Sequence, residues 1–411
     1  MALRPDMPIG ERITIYRRRR GLTQLVLAGL VGRLESWLSQ VERGIRPVDR
    51  LSVLIDIAHV LRVNVTDLTG QPFSLAPNGN LENQTARAIR QALTRYDAML
   101  VVDPATGHDA ARLNPTNLRR DLRRAWQLRQ AAWYAELGTL LSRLLADTER
   151  AARELDGADR LAAFGLSAEA YHLTAMVLKK FGENELAWIA ADRGVLAADR
   201  AEAPLLMAVS ARAVGQVFMS AGRLDEAESV STVALTTLEP GLGNASPEHL
   251  SVYGALLLTK AIIAGRKNDR ATADQLIREA EVAARRLGED RNDFWTIFGP
   301  TNVAIHAVSV DVELGDPAAG LRKASSIDLS RLSPELVERR VYHMVDLARS
   351  YAQQRNDAAA VLTLLEAERT APEEVRYHVI VPEMLRDLLK RERRAATPGL
   401  RPLAARIGVL P

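Results

Sequence analysis

The stretch LESWLSQVERG, Leu34 to Gly44, carries carboxylate, hydroxyl and amide side chains. Two readings suit it. It can be a helix whose polar groups hydrogen-bond to base edges in a DNA major groove, or an ordinary amphipathic helix with a solvated face. It opens on leucine, where a cap-forming Ser or Thr is expected. Other chemistry is sparse. The chain has no cysteine, which excludes disulfides, thiolate metal sites and Cys nucleophiles and fits a reducing cytoplasm. Its seven histidines are scattered without metal-ligand spacing, and no HExxH, P-loop, GxGxxG or GxSxG occurs. The acidic pair Glu373–Glu374 reads as a solvated helix start. The sequence therefore predicts no enzyme, no metal site and no cofactor.

The elements that would position these groups are helical. Ile9 to Gly70 reads as five short helices with turn signals at Gly21, Gly32, Gly44–Pro47 and Val63–Asn64. Pro72, Pro77 and the polar stretch NGNLENQT (Asn78 to Thr85) interrupt the pattern as a linker would. Helical spacing resumes over Ala86 to Val102, and Asp103 to Pro115 reads as a loop. From Asn117 onward helices rich in Ala, Leu, Arg and Glu follow one another, with no sustained period of two, so no sheet is expected. Four units result: residues 1–70, a linker with a connecting helix at 71–116, a helical body at 117–395 and a tail at 396–411. No apolar run approaches the roughly 20 residues that span a bilayer, and no signal peptide is evident.

The charge is asymmetric. Of the net +3, the first 70 residues carry +4, from 11 Arg against 7 Asp and Glu, and the remainder carries −1. A basic module on a neutral body is the footprint of polyanion binding. The preference for Arg over Lys reads as the codon bias of a GC-rich bacterium.

The body repeats. AVGQVFMSAGRLDEAESVSTVALTTLEP places Gly215, Phe218, Gly222, Ala227, Ala234 and Pro240 at nearly the spacing of Ala348, Tyr351, Ala360, Ala367 and Pro372 in LARSYAQQRNDAAAVLTLLEAERTAP. Weaker copies centre on Gly138, Ala175, Ala261 and Val308. The body resembles the tetratricopeptide repeat, in which small residues let two antiparallel helices approach. Its spacings of 37 to 47 residues are longer than the usual 34. The resemblance implies a superhelix whose concave face carries His172, Lys179, Arg212, Gln216, Asn302, Ser309, Tyr342 and Arg349, a groove suited to a carboxylate, a phosphate or an extended peptide. Trp126, Trp133, Trp188 and Trp295 read as packing residues.

GLTQLVLAGLVGRLESWLSQVERGIRP resembles the phage-repressor (XRE-type) helix-turn-helix, ungapped from Gly21 to Gly44. Thr23 can cap the second helix, Ala28 is small at the helix crossing and Gly32 permits the turn. Leu27, Val31, Leu38 and Val41 form the buried stripe, and Leu51, Leu54, Ile57, Ala58, Leu61 and Leu68 close the core. The resemblance implies that the third helix lies in a major groove, presenting Glu35, Ser36, Ser39 and Gln40. It further implies that Gln24 clamps the backbone and that Arg43, Arg46 and Arg50 reach phosphates. Trp37 is expected to be partly exposed near the backbone. Glu42 is expected to pair with Arg17 structurally.

These readings combine into an all-α protein with an N-terminal helix-turn-helix domain and a repeat body. The expected function is a cytoplasmic, sequence-specific transcription regulator. Its expected partners are a palindromic double-stranded operator, a second copy of the chain and a peptide or small-molecule effector, with no membrane. One alternative is a protein-interaction adapter whose helix-turn-helix no longer reads DNA, which Leu34 and Glu35 favour; the other is a constitutive DNA-binding protein whose repeats serve only assembly.

Overall fold

A computed structural model describes residues 7–48, 51–61, 63, 65–69, 80–94 and 113–410; Arg50 and most of the stretch read as a linker lie outside them. Five short helices come first: α1 (Ile9–Arg19), α2 (Gln24–Leu30), α3 (Glu35–Glu42), α4 (Leu51–Leu61) and α5 (Val65–Thr69). None is long enough to persist alone in water. They hold together by burying Ile13, Leu27, Leu38, Ile57 and Leu68 in one core. Gly10 sets the distance between α1 and α3, because a Cβ there would lie 2.2 Å from the Val41 carbonyl oxygen. Gly32 takes φ +62° in the turn between α2 and α3, a conformation that glycine adopts without steric cost.

The next helix, α6 (Asn80–Leu93), departs from expectation. It begins inside the polar stretch read as an interruption. Thr85, Ala86, Ile89 and Leu93 recur every three or four residues and are buried, so a periodic face outweighs the low helix preference of Asn and Thr. Gly138 receives this face, with Thr85 where a Cβ would otherwise sit.

The body is built of helix pairs. Its first members are α7 (Pro115–Gln130), α9 (Gly157–Lys180), α11 (Pro204–Ser220), α13 (Pro247–Arg266), α15 (Pro300–Glu313) and α17 (Val337–Gln353). Their partners are α8 (Tyr134–Glu154), α10 (Asn184–Arg200), α12 (Leu224–Leu238), α14 (Arg270–Leu287), α16 (Pro317–Ala324) and α18 (Asp357–Thr370). Most partners follow after short turns and pack along one another, which makes them antiparallel. The odd-numbered helices also pack on one another in sequence and form an inner layer that bends until α17 meets α7. Small residues permit this: a Cβ on Gly215 in α11 would lie 3.0 Å from the Ser231 hydroxyl of α12.

The C-terminal helices α19 (Pro372–Arg376), α20 (Val381–Lys390) and α21 (Leu400–Arg406) pack on the end of the body. Residues 396–411, read as a tail, thus contain a docked helix, because Leu400, Leu403, Ala404 and Ile407 share a buried face. Glu374 corrects another expectation. It is fully buried and bonded to Lys180 and to the Tyr134 hydroxyl, tying α19 to α8 and α9. Trp133, read as a packing residue, is instead 61% exposed, while Trp126 and Trp295 stack with centroids 5.5 Å apart and Trp188 stacks on Phe218. Among the described residues one helix, α9, is long and apolar enough to cross a membrane, and 72% of its apolar stretch is buried in the body. The described residues contain no strand, only an isolated bridge between Arg291 and Phe298.

Candidate functional site

The third helix is held from behind by a buried ion pair. Arg17 Nε donates to Glu42 Oε1 at 2.5 Å and its Nη2 donates to Oε2 at 2.8 Å. Arg17 Nη1 donates to the Leu22 carbonyl, so one guanidinium joins α1, α3 and the entry to α2. This fork on a carboxylate is geometrically specific. Gln24, expected to clamp a nucleic-acid backbone, instead turns its amide nitrogen inward and donates to Glu42 Oε2 at 2.7 Å. Burial alone would raise the Glu42 carboxyl, but the bonds from Arg17, Gln24 and Thr14 outweigh it and hold the group below the ordinary carboxylate value. A cleft of about 570 Å³ lies beside the network, lined by Arg18, Gln24, Glu35 and Arg43 among others.

The outer face of α3 is different. Glu35 and Ser36 are exposed, and Ser39 and Gln40 are partly exposed. Among the described residues none of these four side chains is hydrogen-bonded to another. Arg46 is exposed, and Arg43 is exposed with its Nε on the Ser39 carbonyl. Trp37 is partly exposed; it packs on the five-helix core and carries the Arg33 guanidinium 5.7 Å from its ring centroid. Thr23 caps α2 by accepting from the Val26 N–H at 3.2 Å. Leu34 has the extended backbone of a cap residue but accepts nothing, and its side chain is 76% exposed. Glu35 in the first turn complements the helix dipole and offsets part of that loss.

Gly10, Thr14 and Arg33 escaped the sequence reading. Their roles depend on approaches between α1 and α3 and on a ring face, neither of which leaves a local motif.

The inner layer of the body gathers some of the groove residues and buries others. His172, Asn302 and Arg349 are not on an accessible wall. His172 bonds the Ser210 hydroxyl at 2.6 Å, Asn302 donates to the Ile297 carbonyl and Arg349 reaches Glu313 at 3.4 Å. Lys179, Arg212, Gln216, Ser309 and Tyr342 remain partly accessible. Arg129 and Arg339 join them, although neither figured in the sequence reading; both come from helix ends that meet only when α17 closes on α7. Burial, then Arg129, drives the Lys179 amine down to about 7, while burial, then Arg339, brings Arg212 to about 9. His172 and His306 fall to about 3 for the same reasons, burial first and nearby arginines second.

The segment before α15 crosses this interior. Phe294, Trp295 and Ile297 all have positive φ, a costly backbone for non-glycine residues. In return, Trp295 stacks on Trp126 and donates to Glu169, Asn292 bonds Gln130, and Asp293 accepts from Ser251. One loop therefore joins α7, α9 and α13.

Residues 8–69 match the model of a helix-turn-helix domain. The HTH-type transcriptional regulator SinR of Bacillus subtilis (strain 168) is 30% identical over 86 residues, which are 21% of this chain and 78% of that protein. The chain belongs to the HTH-type transcriptional regulators. In such a regulator the Arg17–Glu42 pair and the five-helix core are the frame, and α3 is the second helix of the motif. Much of the chain also bears a remote likeness to two solved structures. Rap protein complexed with competence and sporulation factor is 12% identical, covering 90% of this chain and 99% of that one, with a TM-score of 0.43. PlcR of Bacillus thuringiensis, in complex with the peptide PapR7 and DNA, is 13% identical, covering 68% and 95%, with a TM-score of 0.29.

Proposed function

We propose that this regulator reads a specific DNA sequence with α3 and does so as a homodimer, its helical body responding to a peptide or small-molecule effector. The observation that carries the reading is the unbonded polar face of α3, backed by the Arg17–Glu42–Gln24 network. Gln40 can pair bidentately with adenine, Glu35 can accept from the cytosine amino group, and Ser36 and Ser39 can bond several edges. Arg43 and Arg46 stand at the end of α3, where they would contact phosphates together with Arg50, outside the described residues. Gln24 retains its carbonyl oxygen for a backbone-side contact while its nitrogen holds Glu42. Trp37 lies beside the groove face. Two heads set about one helical turn apart, 34–36 Å, would match a palindrome. The protein would act in the bacterial cytoplasm, where the operator is.

The adapter reading is favoured by one observation: Leu25, Leu30, Leu34 and Ile45 are large apolar side chains exposed on the same small domain. Selection from random duplex DNA with the purified full-length chain, followed by binding across a salt series, decides between them. An enriched palindrome that is relaxed by Gln40→Ala supports the reader. Binding with no sequence enrichment and no salt dependence supports the adapter.

A further inference from the structure

The inner layer of the body carries three basic groups on three helices, Lys179 of α9, Arg212 of α11 and Arg339 of α17, with Arg212 close enough to feel the charge of both others. Each is mostly withdrawn from solvent yet still reaches it. Among the described residues none is bonded to a carboxylate. Lys179 reaches only the Gln216 side-chain carbonyl, at 3.4 Å. Arg212 donates through Nε to two neutral acceptors, the Ala255 carbonyl and the Thr259 hydroxyl. Arg339 lies 6.0 Å from the Tyr342 ring centroid, and its buried Nε has no hydrogen-bond partner.

The carboxylates that face these cations are engaged elsewhere. Glu338 pairs with Arg129 at 2.6 Å, Asp346 accepts from Ser309 at 2.5 Å and Glu374 is bonded to Lys180 and Tyr134. Glu313 lies between Arg266 and Arg349. The imidazoles of His306 and His343 contribute no negative charge. Withdrawing a charge from water without a partner is costly, and the repulsion of Arg212 by Arg339, and of Lys179 by Arg212, adds to that cost. A structural role would pair each of them directly with a carboxylate. We infer that the interior of the repeat body binds a small, multiply charged anion, a phosphate ester or a polycarboxylate, ligated by Lys179, Arg212 and Arg339. Three basic groups without a direct carboxylate partner suit a multiply charged anion better than the single terminal carboxylate of a peptide. Arg212 and Arg339 can bind such oxygens in a fork and Lys179 as a point charge. This deepens the effector reading of the body and rests on it.

The test uses the full-length chain, with pyrophosphate for the phosphate class and citrate for the carboxylate class, each against sodium chloride at matched ionic strength. One of the two raises the thermal midpoint by about 3 °C or more, and calorimetry gives one site per chain. Which of them responds identifies the class. Lys179→Met and Arg339→Gln each weaken that binding at least tenfold, whereas Arg212→Lys, which keeps the charge but loses the fork, weakens it less. In the absence of either anion, Lys179→Met raises the midpoint, because it removes an unpaired buried cation; a structural lysine would lower it. No shift beyond the chloride control overturns the inference, as does an unchanged anion response in both neutral variants. DNA binding is scored separately. Loss of anion binding with operator recognition intact overturns the site and leaves the regulator standing. An intact anion response without operator recognition does the reverse.

Discussion

Leu34 and Glu42 show how single side chains frame α3. Leu34 already has cap-like φ −80° and ψ 149°, so only its hydroxyl-free side chain is at fault. Leu34→Ser should supply the acceptor and raise stability by about 1 kcal/mol, read as a higher denaturant midpoint. An unchanged midpoint would mean that the first turn is satisfied without a cap. Glu42 is the opposite case, a buried group fully engaged. Glu42→Gln leaves Arg17 without its counter-charge and should cost about 3 kcal/mol, measured in the full-length chain by amide exchange of α1 and α3 across a denaturant series. Its pH dependence has a defined sign. The folded carboxyl is held below its ordinary value of 4.5, so its stabilisation is complete above 4.5 and is lost as pH falls through the lower folded value. The wild type should lose stability in that window more steeply than Glu42→Gln.

Close packing between elements is the next level. Gly10 lets the backbone of α1 touch the carbonyl end of α3. Gly10→Ala must displace one helix, with a cost of about 1–3 kcal/mol, and because α3 moves it should also weaken DNA binding. Preserved stability and binding in that variant would show that the helices have room to yield. In the body, the strained segment Phe294–Ile297 is anchored by Trp295 on Trp126. Trp126→Ala should cost about 3–5 kcal/mol and increase amide exchange in residues 292–298, since that backbone would have lost what holds it in its positive-φ conformation. Unchanged protection would place the anchor elsewhere, at Asn292 or Asp293.

Across the whole molecule, a basic head joins a neutral body. DNA affinity should fall with salt at a slope of about −0.9 per phosphate contact. Arg46→Ala should reduce that slope by about one contact while leaving the preferred sequence unchanged, whereas Gln40→Ala should relax the sequence and leave the slope. The opposite pattern would assign base reading to the arginine. Covariation of slope and preference across both variants would show that the two side chains are not separable in function.

The helix-turn-helix was legible because its restraints are local. Thr23, Ala28 and Gly32 mark a cap, a crossing and a turn within ten residues, and the apolar stripe of Leu27, Val31, Leu38 and Val41 shows the face to bury. The helical body was legible for the same reason, since small residues recur wherever two consecutive helices must approach. What only the tertiary structure decided lies between distant elements. The inward turn of Gln24 depends on where Glu42 arrives, the burial of Glu374 depends on α19 returning to α8 and α9, and the helix at Asn80 depends on Gly138 to receive it. The cluster of Lys179, Arg212 and Arg339 spans about 160 residues of sequence. Helical periodicity tells which face of each helix is buried, but not which charges meet across the interior. That is set by the curvature accumulated over successive pairs, and it becomes defined only when α17 closes against α7.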